Sequence, residues 1–145
     1  RILYSCDGDR LVSTSYDKTM RIWETKSGAM LHNFERRTVT ETNPDGSTYN
    51  VQIPGHSGDI IALARGNYDY DHIVVSSDSE RGLFAWDIAR GEMVSDISRE
   101  RFPQTSWPGP ILELEFVGGF HPEWFITGTD NTQPTGPGVV QLWDV

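Results

Sequence analysis

Three tryptophans, each followed by an acid, divide this chain into like segments: Trp23-Glu24, Trp86-Asp87 and Trp143-Asp144. Each closes a short apolar stretch, Met20-Arg21-Ile22, Leu83-Phe84-Ala85 or Val139-Val140-Gln141-Leu142. The first two segments superpose without a gap. Ser13 and Ser76 stand at the same offset before the Trp, preceded by Leu11-Val12 and Val74-Val75. Gly28 and Gly91, Met30 and Met93, and Phe34 and Ile97 follow it at common offsets. The third segment keeps the order, with Phe125-Ile126-Thr127-Gly128-Thr129 before its Trp and a longer loop from Asn131 to Gly138. Self-similarity at fixed offsets marks a repeat architecture, in which no unit buries its apolar face alone.

The stretches between turn signals are strand-length and rich in β-branched and aromatic residues, and none carries a long helical period. Asp7-Gly8, Lys26-Ser27-Gly28, Asn43-Pro44-Asp45-Gly46 and Arg90-Gly91 punctuate them. Four short strands joined by tight turns describe a propeller blade. The run Ser13-Thr14-Ser15-Tyr16-Asp17-Lys18-Thr19-Met20-Arg21-Ile22-Trp23 resembles the core motif of the WD-repeat family, and Gly55-His56 resembles the Gly-His that opens such a repeat. The resemblance covers nearly the whole chain. It implies an all-β fold, a WD-repeat β-propeller piece of three consecutive four-stranded blades, the first and last incomplete. The chain begins at Arg1 in what reads as mid-strand and stops at Val145, before an outer strand.

Repeat length then locates insertions. A WD repeat runs about 40–45 residues, whereas 63 residues separate Trp23 from Trp86 and 57 separate Trp86 from Trp143. The expected layout is a first blade over 1–34, an inserted hairpin loop over 35–54, a second blade over 55–97, an inserted loop over 98–110 and a third blade over 111–145. Within the first insertion, Thr38 to Thr42 and Ser47 to Val51 flank Asn43-Pro44-Asp45-Gly46, which predicts a hairpin with a type I turn.

The resemblance also implies a buried hydrogen-bonded set of His, Ser or Thr, Asp and Trp in a blade. A His ring between strands must satisfy both nitrogens, and an indole N–H needs an acceptor. The matching positions are Ser13, Asp17 and Trp23 in the first repeat, and His56, Ser76, Glu80 and Trp86 in the second. Glu80 stands where the family has Asp, Gly82 stands where the first repeat has Thr19, and Asp78 is an alternative acceptor. Thr127 and Trp143 match in the third, where Trp107 falls at the His position. A Ser/His/Asp set also invites a hydrolase reading, but Gly-x-Ser-x-Gly is absent and structural duty is the better assignment.

Composition narrows the function. Four histidines lack metal-ligand spacing, Cys6 is the only cysteine, and no Gly-rich phosphate loop occurs, so no metal and no cofactor are expected. Asp7-Gly8-Asp9 lacks the twelve-residue calcium pattern and reads as a solvated turn. A net charge of −9 disfavours direct nucleic-acid binding and anionic membranes. One cysteine and no Asn-x-Ser/Thr point to an intracellular protein, cytoplasmic or nuclear. Trp86-Asp87-Ile88-Ala89 departs from the Trp-Asp-x-Arg of cullin-ligase substrate receptors, with Arg90 one place late. The expected function is a non-catalytic scaffold or adaptor for other proteins or peptides, with a peptide-reader or substrate-receptor module as the alternative. The candidate partner-binding residues are Arg36, Arg37, Tyr49, Arg101, Phe102 and Trp107, all in insertions expected on one face of the ring.

Overall fold

The computed structural model describes residues 1–98, 109–118, 122–129 and 139–144. Among them, thirteen strands assemble into two four-stranded sheets, a three-stranded sheet and a separate hairpin. The first sheet has the order β1 (Ile2–Tyr4), β2 (Arg10–Thr14), β3 (Met20–Glu24), β4 (Met30–Phe34). The second is β7 (Ile60–Arg65), β8 (Ile73–Asp78), β9 (Leu83–Asp87), β10 (Glu92–Asp96). The third is β11 (Ile111–Phe116), β12 (Trp124–Thr129), β13 (Val139–Asp144). Every pairing is antiparallel between chain neighbours, as short turns require. Trp23, Trp86 and Trp143 occupy the third strand of successive blades.

The repeated glycines have a backbone cause. Gly28 and Gly91 both have φ of 72° and close the turn after the third strand, donating to the carbonyls of Glu24 and Asp87 at 2.8 Å. That left-handed conformation crowds a Cβ, so glycine is the default. The acid after the Trp serves the same turn: Asp87, almost wholly buried, accepts the N–H groups of Ala89 (2.8 Å) and Arg90 (2.9 Å).

Two apolar cores lie between sheets rather than within any one of them. Val12, Met20 and Ile22 of the first blade meet Val74, Phe84 and Trp86 of the second. Val75, Leu83 and Ala85 of the second meet Ile111, Leu114, Phe125 and Trp143 of the third. The second blade is covered on both faces, so all residues of β8 and β9 are buried and no polar alternation survives there. β2 and β3 are covered on one face only and alternate.

Polar bonds also join the blades. Arg10 donates to the Ile88 carbonyl, Arg65 to that of Tyr4 at 2.5 Å, and the buried Ser77 hydroxyl to that of Ile111 at 2.7 Å. Between the first two blades stands the separate hairpin, β5 (Arg37–Thr42) and β6 (Thr48–Ile53). Asn43 closes its turn by donating to Ser47 (2.8 Å), and Gly46 donates back to Asn43 (2.9 Å) from φ of 85°. This is a type I turn followed by a left-handed residue.

Candidate functional site

In every blade the indole N–H of the third-strand Trp donates to a hydroxyl on the second strand. Trp23 reaches Ser13 at 2.8 Å, Trp86 reaches Ser76 at 2.8 Å, and Trp143 reaches Thr127 at 2.9 Å. Register explains the recurrence. Trp23, Trp86 and Trp143 lie opposite Leu11, Val74 and Phe125, and the hydroxyl stands two residues further along the same strand. Two residues along a strand return to the same face.

The second blade extends this pair into a chain. His56 precedes β7, with Nε2 at 2.7 Å from Ser76 Oγ and Nδ1 at 2.9 Å from Asp78 Oδ2. Ser76 already accepts from Trp86, so its own proton goes to Nε2, and Nδ1–H donates to Asp78. That arrangement gives both ring nitrogens, the hydroxyl and the indole a partner. The ring packs edge-on against Phe84, with centroids 4.7 Å apart.

Asp78 replaces Glu80 as the acid of the set. Glu80 is exposed, and its backbone N–H donates to Asp78 Oδ1 at 2.9 Å. Asp78 ends β8 and is fully buried. It also accepts the N–H groups of Gly82 (2.7 Å), Ser57 (3.1 Å) and Gly58 (3.4 Å). Burial pushes its pKa up, but the bonds from His56 and the backbone amides outweigh this and hold the carboxyl below its ordinary 3.8. In the first blade the acid is Asp17, which accepts the Thr19 hydroxyl at 2.6 Å and N–H at 3.0 Å and pairs with Arg21 at 3.0 Å. The Thr19 hydroxyl first, and then the backbone amide, lower its pKa to about 2. The signal for Asp78 was present in the sequence as Gly82, where the repeat asks for a hydroxyl residue. An ideal Cβ on Gly82 would lie 2.4 Å from Asp78 Oδ2.

His56, Ser76, Asp78 and Trp86 are all buried and spend their polar atoms on one another or on nearby amides. The Ser76 hydroxyl is fully buried between His56 and Trp86. Among the described residues no group of three or more His, Cys, Asp or Glu could hold a metal ion.

The candidate partner residues separate. Arg36 and Arg37 are exposed at the base of the hairpin. Tyr49 lies on β6 opposite Glu41 and donates its hydroxyl to that carboxylate at 2.6 Å. Arg101, Phe102 and Trp107 lie outside the described residues, as do most of the 98–110 insertion and all of 131–138. Away from the hairpin, an open depression of about 400 Å³ is bounded by the turn after β2 and the starts of β7 and β11. Thr14, Tyr16, Ile60 and Glu113 line it, and among the described residues the buried Thr14 hydroxyl has no hydrogen-bond partner. Among the described residues no helix is long and apolar enough to cross a membrane.

Comparison with known proteins places this geometry. Residues 1–24 match the family described as "WD domain, G-beta repeat". Human Pre-mRNA-processing factor 17 is 24% identical over 101 residues, which are 68% of this chain and 14% of the relative. The CCR4-associated factor 4 homolog of Candida glabrata is 24% identical over 111 residues, 77% of this chain and 17% of the relative. The chain thus spans well under a quarter of these relatives' length. The solved structure described as "Structure of U3-55K" superposes with a TM-score of 0.69 at 19% identity, covering 99% of this chain and 35% of its own. "Crystal structure of RRP9 WD40 repeats" gives 0.59 at 20% identity, covering 96% and 35%.

Proposed function

We propose, from the premise that this chain is a run of WD-repeat propeller blades, that it is a non-catalytic protein-interaction scaffold. One observation carries the reading: a hairpin stands off a rigid stack of blades with two arginines, Arg36 and Arg37, at its base and no ion pair to either among the described residues. Rigid blades with elaborated connections suit binding on a fixed platform. Arg and aromatic residues dominate interface energetics, and Arg36, Arg37 and Tyr49 form the described part of the proposed partner face. Arg101, Phe102 and Trp107 are proposed as further anchors on sequence grounds alone.

The partners are proteins or peptides, not a membrane. The likeness to a relative named Pre-mRNA-processing factor 17 extends the proposal to RNA-processing assemblies inside the cell, nuclear or cytoplasmic. Within them a chain of net charge −9 meets protein components rather than RNA phosphates. No catalytic role is assigned, because His56, Ser76 and Asp78 spend their polar atoms on one another, on Trp86 and on nearby amides.

The test is charge reversal of Arg36 and Arg37 in the intact protein, with Asp69 and Asp71 reversed as a control on the turn after β7. Captured partners should be lost from the first variant and kept by the second. Loss from the control alone would mean that the opposite side binds. A second reading, a peptide-reader or substrate-receptor module, is favoured by the unpartnered Thr14 hydroxyl in the depression between blades. Thr14→Val would weaken capture there and leave a scaffold on the hairpin side untouched.

A further inference from the structure

The edges of the strands are not defended alike. The outermost strand of each four-stranded blade carries a register break against its neighbour, between Ile22 and Trp23 opposite β4 and between Met93 and Ser95 in β10. Such breaks twist an edge away from further pairing. The β5–β6 ladder has none: six consecutive pairs run from Arg37↔Ile53 to Thr42↔Thr48. β6 itself, Thr48-Tyr49-Asn50-Val51-Gln52-Ile53, carries no charge, no proline and no bulge. Among the described residues neither strand has a second neighbour. An isolated two-stranded ribbon is marginal in water.

The two faces of the ribbon differ sharply. Thr38, Thr40, Thr42, Thr48, Asn50 and Gln52 make one face, tied across by Thr40 to Asn50 (3.0 Å) and Gln52 to Thr38 (2.7 Å). The other joins Val39, Tyr49, Val51 and Ile53, with Arg37 and Glu41 at its two ends. Charge runs along the ribbon. Arg36 and Arg37 are at the base, where the Glu35 carboxylate takes the Asn33 amide (3.5 Å), and Glu41 and Asp45 are near the tip. The base is held close: a Cβ on Gly55 would lie 2.6 Å from the backbone N of Arg36, so the two chain ends leave the blades pressed together.

We propose that the free edge of β6 accepts an extended segment of a partner protein as a third, antiparallel strand. The segment alternates β-branched with polar residues, matching the two faces. It carries an acid at its N-terminal end, level with Arg36 and Arg37 across β6, and a base at its C-terminal end, level with Glu41 and Asp45. Main-chain bonds supply attachment, and the alternating side chains and end charges supply selection. This inference rests on the hairpin side being the partner face and is narrower than it.

Asn43 and Ser47 are a hydrogen-bonded pair, so the alternation along the ladder turns the N–H of Asn50 outward. Asn50→Pro therefore removes a docking donor and leaves the hairpin's own ladder intact. The probe is an end-blocked, fluorescently labelled peptide, Glu-Thr-Val-Thr-Val-Thr-Lys, titrated into the intact protein. Its partner is the same peptide with Glu and Lys exchanged. The first should bind about tenfold more tightly, and Asn50→Pro should cost about tenfold while Asn50→Ala stays within about twofold. Amide spectra confirm that the ribbon persists in both variants.

Arg36→Glu with Arg37→Glu should remove the preference between the two peptides. Equal affinity of both peptides for the unaltered protein, no binding of either, or indifference to Asn50→Pro in a persisting ribbon overturns the proposal. Pairing of β6 with β6 of a second copy, read as a dimer by sedimentation, overturns it as well. If charge reversal abolishes partner capture while Asn50→Pro does not, the partner face stands and strand addition fails.

Discussion

Position 82 carries glycine because the carboxylate of Asp78 fills the space beside it, 2.4 Å from an ideal Cβ. In the first blade the corresponding turn is Ser15 to Thr19, with acid and hydroxyl at Asp17 and Thr19. The second blade moves the acid to the first position of the turn and empties the last. Gly82→Thr alone should therefore destabilise the chain by about 1–3 kcal/mol through overpacking. Adding Asp78→Ser and Glu80→Asp restores the first-blade pattern and should recover at least part of that loss. Denaturant melts of the single and triple variants decide it, and a triple variant no better than the single one would refute the exchange. The same carboxylate sets an acid limit. Its folded pKa lies below the ordinary 3.8, so its contribution is fully present above that value and drains away as pH falls through the folded one. Asp17, lowered to about 2 but more exposed, acts in the same direction. Asp78→Asn should be the less stable protein at neutral pH, and its deficit should shrink as melts are taken from about pH 5 to pH 2. A deficit constant over that range would mean that the Asp78 charge is not what is lost in acid.

At the level of elements, the blades depend on one another and not on the hairpin. Phe34 of β4 packs on Trp86 of β9 with ring centroids 4.6 Å apart, and the His32 ring fills the space a Cβ on Gly91 would need, at 2.2 Å. The hairpin by contrast pairs extensively only with itself among the described strands. Its residues are mostly exposed. Replacing residues 38–52 by a short Gly-Ser link should thus leave a single cooperative thermal transition, shifted by no more than about 5 °C. A larger fall, or a second transition, would show that the ribbon supports the first and second blades. The sequence made this element legible because Asn43-Pro44-Asp45-Gly46 demands a turn and the flanking residues favour strands. It did not show that the ribbon would stand clear of the blades with an unbroken edge.

Across the whole molecule, the sequence by itself determined what is periodic. The Trp ten residues after a hydroxyl residue in the first two repeats, the glycine with a left-handed turn and the alternation of β2 and β3 are local consequences of strand geometry. They were readable without knowing which sheets meet. The indole-to-hydroxyl bond recurs at 2.8 to 2.9 Å even where a longer loop intervenes before Trp143, because register rather than loop length fixes it. Only the tertiary structure decided what depends on neighbours. It buried the second blade on both faces, so a strand that reads as uniformly apolar in sequence is a middle layer between two cores. It chose Asp78 over Glu80, because an acid at the end of β8 points into the blade whereas one two residues later sits on an exposed turn. It turned Arg10 and Arg65 to carbonyls of adjacent blades, where sequence offers only two isolated basic residues. Side-chain direction along a strand is set by a period of two and is therefore written in the chain. The partner that a side chain meets is set by packing between sheets, which no local period encodes.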